Sequence, residues 1–293
     1  MRRPSRLLLV SCAFLTACSP GMFSGQVERS GQPDRVPLKA ARTSPAGSPS
    51  PSSAAKELDL VSLPTGLTAG TDSPLYTAPK AKAHCDVPSI KSGSFTSMKK
   101  YMTAVSACLD RIWTSEFRAA KIYYSPPERK FIQRRVRDPK CGMMPAKGAD
   151  GTYCGGTKTY YVLAARTALR PDAAPWASEV VAHEYGHHVQ HMINILDYEE
   201  SAAGVAPKSD ADVLSRRVEL QAECFAGVAI SGMGGEMPSW WDYRSLYTGY
   251  ALDGAWVRDH GKLSTQMRWL GRGYRSGKPE ACDTWSVSKR DVT

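Results

Sequence analysis

Two histidines four residues apart, His183 and His187, enclose Glu184 in the stretch Ala182-His183-Glu184-Tyr185-Gly186-His187-His188-Val189-Gln190-His191. No other feature constrains the chain as much. On a helix, residues four apart project from one face, so both imidazoles can reach one metal ion. Glu184 sits beside His183 and can face a metal-bound water without being a ligand. A zinc ion held this way lowers the pKa of its water towards about 7, and a carboxylate can then take the proton. The spacing therefore implies metal-assisted peptide hydrolysis, provided the chain also supplies a helix, a third ligand and a suitable compartment.

The helix is legible. Pro171 and Pro175 punctuate its approach, and Pro175 suits the first helical position. Val180, Val181, Val189, Met192 and Ile193 give apolar faces, which predicts a largely buried helix over 176–196. His188 and His191 fall on its other faces. Downstream, Ser209-x-x-Asp212 resembles a capping box and predicts a second helix through about Ile230. That helix places Glu219 and Glu223 on one face among apolar residues. Two carboxylates are costly there unless paired or bound to metal. The expected roles are Glu219 as third zinc ligand and Glu223 as partner to a ligand histidine. The exchange of those two roles is the alternative.

The chain has eight cysteines, of which Cys12 and Cys18 lie near its start. The others are Cys85, Cys108, Cys141, Cys154, Cys224 and Cys282. Behind an export signal, an even number reads as three disulfides in an oxidising compartment. No pair has the C-x-x-C spacing of a zinc cluster. Sequential pairing, 85–108, 141–154 and 224–282, is the simplest of the open connectivities.

Residues 1–18 read as a targeting segment. Arg2, Arg3 and Arg6 precede a short apolar core from Leu7 to Leu15, and Leu15-Thr16-Ala17-Cys18 resembles a bacterial lipobox. Cleavage before Cys18, a lipid on its sulfur and a cell-membrane location on the extracytoplasmic face are expected. Residues 19–83, rich in Ser, Pro and Gly, read as a flexible tether. The folded domain is expected over 84–286, with a frayed tail at 287–293. The formal charge of +10 is spread as single residues and suits anionic membranes or cell-wall polymers. No recognisable nucleic-acid module accompanies it, so nucleic acid is not an expected partner. A monomer is the default.

Within the domain, Ser94 or Thr96 can cap a helix whose core face runs from Met98 to Trp113. Strands are expected at Lys121 to Tyr124 and at Lys158 to Leu163, separated by a Gly-rich loop between Cys141 and Cys154. The second strand could align an extended peptide by edge pairing. Trp240, Trp241, Tyr243 and Tyr247 suit packing, and a helix is expected from Ser264 to about Tyr274.

Together these stretches resemble the bacterial neutral zinc metallopeptidase family. The matching pieces are Cys108-Leu109-Asp110-Arg111-Ile112-Trp113, Tyr153-Cys154, the segment around His183, Glu219 to Gly227, His260-Gly261, and Gly273-Tyr274-Arg275-Ser276-Gly277. The resemblance implies an α+β, helix-rich, zincin-like domain with a small β-sheet, stabilised by disulfides. It implies one zinc ion on His183, His187 and Glu219, with Glu184 as general base and His260 as a candidate oxyanion donor. The implied activity is endopeptidase cleavage of peptide or protein substrates. The chain departs from the family pattern at Glu223, where an aspartate is usual, and at Gln266, where an arginine is. An inactive zinc-containing scaffold lipoprotein is the rival reading, since a fold does not establish a function.

Overall fold

The computed structural model describes residues 59–248 and 254–293. Its first elements are a short helix α1 (Leu67–Thr71) and a three-residue strand β1 (Ala83–Cys85). The first long helix, α2 (Phe95–Ala119), is capped as expected: the Ser94 hydroxyl accepts from the Ser97 amide. Its buried face includes Met98, Tyr101, Met102, Val105, Leu109, Ile112 and Trp113.

The expected strand at 121–124 does not form. Lys121 takes a left-handed conformation (φ 56°) and Ile122 bonds back to the helix end, so the chain leaves α2 as coil. Strand β2 (Glu128–Ile132) starts only after Pro126 and Pro127, which cannot donate to a ladder. A hairpin of β3 (Val136–Asp138) and β4 (Gly142–Met144) follows, then β5 (Gly151–Cys154) and β6 (Thr159–Leu163). Three of these make one sheet in the order β2-β6-β5, with β2–β6 parallel and β5–β6 antiparallel. The expected strand at Tyr160–Leu163 is therefore central and paired on both sides. It cannot take a peptide by edge pairing; the edges of the sheet are β2 and β5.

The helix carrying the histidines is α3 (Ala174–Met192), with Pro175 in its first turn. It ends earlier than expected because Asn194 turns left-handed (φ 64°), and the chain restarts as α4 (Ile195–Ala203). The second long helix is α5 (Lys208–Gly232). The expected capping box is absent: Ser209 lies inside the helix behind Pro207, and Asp212 pairs with Lys208 instead. A short strand β7 (Met233–Gly235) pairs with β1, and α6 (Trp240–Ser245), α7 (Gly254–His260) and α8 (Leu263–Ser276) complete the order.

Small residues set how close these helices come. A Cβ on Gly186 of α3 would lie 2.8 Å from the Ala222 carbonyl of α5. On Gly273 of α8 it would lie 2.0 Å from the Cys224 carbonyl. Helix α5 is thus gripped on two sides, and its Glu219–Glu223 face meets the His183–His187 face of α3. The disulfides join Cys85 to Cys108, Cys141 to Cys154 and Cys224 to Cys282, the sequential pairing.

The packed chain extends past both expected domain boundaries. Ala69 and Leu75 are fully buried, and Gly70 sits against the Trp285 ring, so part of the stretch read as tether belongs to the core. The stretch read as a frayed tail is also docked. Val292 is buried, and Arg216 and Arg217 of α5 donate to the Val292 and Val287 carbonyls. Cys18 and the leader lie outside the described residues. Among those described, no helix is long and apolar enough to cross a membrane.

Candidate metal centre

His183, His187 and Glu219 converge. Their ligand atoms lie within 4.8 Å of one another. Glu219 Oε2 is 3.3 Å from His183 Nε2 and 3.4 Å from His187 Nε2. Each imidazole is also held from behind. His183 Nδ1 lies 2.8 Å from Glu223 Oε2, and His187 Nδ1 lies 2.9 Å from Gln190 Oε1. With acceptors on both Nδ1 atoms, the two Nε2 lone pairs face inward.

The electrostatics call for positive charge at this point. Burial works to lower the His183 pKa, but its bonds to Glu219 and Glu223 hold it well above the ordinary histidine value. Burial works to raise Glu219, yet His260 and His187 hold it well below the usual carboxylate range. Beside them Glu184 is raised, chiefly by burial, and its Oε2 is buried without a partner. Two imidazoles and a carboxylate, each oriented, with an unpaired carboxylate oxygen alongside, fit a divalent zinc-type ion.

Behind Glu223 lies a second carboxylate. Tyr247 donates to Glu223 Oε1 and lies 3.2 Å from Glu179 Oε1. Glu179 is pushed well above the usual carboxylate range, first by burial and then by the Glu223 charge. Gln190 continues inward: its amide donates to the Val218 carbonyl and to Gln221, which in turn donates to Tyr76 and the Cys282 carbonyl.

The sequence left Glu179, Gln190 and Gly151 without roles and gave Tyr247 only a packing role. Gln190, one turn beyond His187, was within reach of the helical spacing rule. Gly151 begins β5 directly against Glu184; a Cβ there would lie 2.4 Å from Glu184 Oε1. His260 is brought to the cluster, its Nε2 3.4 Å from Glu219 Oε2 and its ring stacked on Trp256 at 3.7 Å. His188 is not in the cluster. It bridges the Ser125 carbonyl and the Tyr153 hydroxyl, and burial pushes it down to about 4. His191 faces the Tyr153 ring.

A family model described as "Putative neutral zinc metallopeptidase" matches residues 59–238. The uncharacterized protein Rv2575 of Mycobacterium tuberculosis is 29% identical over 205 residues, covering 56% of this chain and 64% of that protein. The uncharacterized protein YpfJ of Escherichia coli is 28% identical over 210 residues, covering 64% of this chain and 72% of that one. The chain thus spans 64% of the length of the mycobacterial relative. No solved structure matches it. The family match contains His183, Glu184, His187, Glu219 and Glu223, the residues that converge in the fold, and the chain belongs to the neutral zinc metallopeptidase family.

Proposed function

We propose that this chain is a zinc-dependent endopeptidase that uses Glu184 as general base. The observation that carries the proposal is the convergence of His183 Nε2, His187 Nε2 and Glu219 Oε2 beside the unpartnered Glu184 Oε2. Zinc bound by those three atoms supplies a Lewis acid and a water acidic enough to ionise near neutrality.

The remaining work falls to the protein. Glu184 takes a proton from the attacking water and returns it to the leaving nitrogen. Its raised pKa suits an acid–base group, and Gly151 leaves it room. His260 Nε2 donates to the carbonyl oxygen as negative charge develops there. The substrate backbone pairs with the open edge of β5, whose first residue touches Glu184. We place the enzyme at the extracytoplasmic face of a membrane, tethered by lipid on Cys18. The support for that location is the Leu15-Thr16-Ala17-Cys18 pattern together with the three disulfides.

The test compares zinc-loaded wild type with Glu184→Gln on a broad peptide library read by mass spectrometry. Cleavage by wild type alone, with both proteins holding one zinc, supports the reading. If wild type holds zinc and cleaves nothing, the scaffold reading takes its place.

A further inference from the structure

The segment from Glu128 to Lys158 carries eight Lys and Arg against three Asp and Glu. Its charge is organised by the β3–β4 hairpin. One face of the hairpin is apolar: Met144 and Val136 pack with Cys154, Tyr161 and Ile132 into a small core separate from the main one. The other face is solvent-exposed and cationic, with Arg137 opposite Met143 in register and Arg134 and Lys140 at its two ends.

The acids of this segment offer those cations nothing. Asp138 is buried, and its two oxygens accept from the Lys140 and Cys141 amides, the Thr157 hydroxyl and the Tyr161 hydroxyl. Asp150 accepts from the Trp176 indole. Among the described residues, Arg134, Arg137, Lys140 and Lys158 have no carboxylate partner, whereas Arg129 is paired with Asp110. Like charges on one small surface repel, so an unneutralised set is a surface prepared for an anion.

The platform is fixed to the strand that reaches the metal centre. Cys141 is bonded to Cys154 at the end of β5, the Ala146 amide donates to Thr152 Oγ1 at 3.0 Å, and Lys140 packs against Gly156. Strand β5 begins at Gly151 against Glu184 and runs three residues to Cys154, about 10 Å at the rise of a strand. A peptide lying along β5 with its scissile bond near Glu184 reaches, three residues on, the Cys141–Cys154 bond that anchors the cationic hairpin.

We propose that the β3–β4 platform selects polypeptides bearing acidic side chains three or more residues from the bond to be cleaved. This rests on the peptidase reading above and adds the substrate class.

The test measures binding apart from catalysis. Fluorescein-labelled peptides, identical except for a distal Glu-Asp-Glu, Gln-Asn-Gln or Lys-Lys-Lys triplet, are titrated into zinc-loaded full chain carrying Glu184→Gln and followed by anisotropy. The acidic peptide is expected to bind at least about tenfold more tightly than the neutral one at low salt, with the difference shrinking as salt is raised. The combined Arg134→Gln, Arg137→Gln and Lys140→Gln variant should lose that preference, and Arg272→Gln on α8 with Lys278→Gln just after it should keep it. Equal binding of the three peptides overturns the proposal. So does loss of the preference only in the α8 variant, or binding confined to anionic phosphatidylglycerol vesicles. If wild type binds acidic peptides selectively yet cleaves none, the peptidase reading falls and the acidic-ligand surface stands.

Discussion

His183 Nδ1 lies 2.8 Å from Glu223 Oε2, so one carboxylate fixes the ring while the opposite nitrogen faces Glu219. Glu223 is itself held by Tyr247. A chain of three side chains from α3, α5 and the turn after α6 therefore sets the aim of one Nε2 atom.

Zinc affinity should fall in graded steps along that chain. On the proposed ligand set, Glu219→Ala removes a direct contact to the ion and should abolish stoichiometric binding. Glu223→Ala leaves the proposed ligands but frees the ring, and should weaken binding about 10–100-fold. Tyr247→Phe should fall between Glu223→Ala and wild type. Competition against a chromophoric chelator measures all three. Equal losses for Glu219→Ala and Glu223→Ala would mean that Glu223, not Glu219 alone, contacts the ion.

Gly151→Ala separates metal binding from catalysis. The new Cβ would lie 2.4 Å from Glu184 Oε1 and 2.8 Å from its Cδ, too close for either to stay. The Glu184 side chain must swing away while His183, His187 and Glu219 keep their places. Displacing a general base by about 1 Å can slow the chemistry roughly 100-fold. The expected result is one zinc per chain and a much lower kcat. A variant that loses zinc instead would show that Gly151 supports the whole site.

What the sequence made legible was the pairing of helix faces; the short-range capping box at Ser209 misleads, because Pro207 starts the helix first. The i, i+4 pairs His183–His187 and Glu219–Glu223 announced which helix faces had to meet, and of the two candidate caps of α2, Ser94 and Thr96, the first is the one used. What stayed hidden depends on approach between distant parts. Lys121 to Tyr124 looks like a strand by composition, but the left-handed Lys121 and the prolines after it decide otherwise. Val292 and Leu75 have no local pattern marking them as core, yet both are fully buried. Tyr247 belongs to the site only because α6 delivers it to Glu223 across the fold.

Gly273→Ala tests the grip of α8 on α5. On an exposed helix, replacing Gly by Ala gains about 1 kcal/mol of helix propensity. Here the Cβ would lie 2.0 Å from the Cys224 carbonyl and 2.9 Å from the Val228 amide, both backbone atoms that cannot rotate away. Overpacking of that kind costs about 3 kcal/mol, so the clash wins. Thermal unfolding should show a lower Tm. Because Cys224 lies one residue from Glu223, zinc affinity should fall with it. An unchanged or higher Tm would refute the backbone-to-backbone contact.

Glu116 gives the stability a pH dependence of its own. It is 1% exposed, and burial, opposed only by the Ala81 backbone, pushes its pKa from 4.5 up to about 8. Below pH 4.5 the carboxyl is protonated in both states and has no effect on folding. Between there and about 8 the unfolded chain releases its proton and the folded chain keeps it, so stability falls as pH rises. At pH 7 the loss is on the order of 3 kcal/mol. Glu116→Gln removes the ionisation and keeps the shape. Urea midpoints for the two proteins, both zinc-loaded, should lie closest near pH 5 and separate towards pH 8, with the variant the more stable. Every other titrating group contributes equally to both proteins, so a gap that stays constant across that range would rule out a protonated Glu116 in the core.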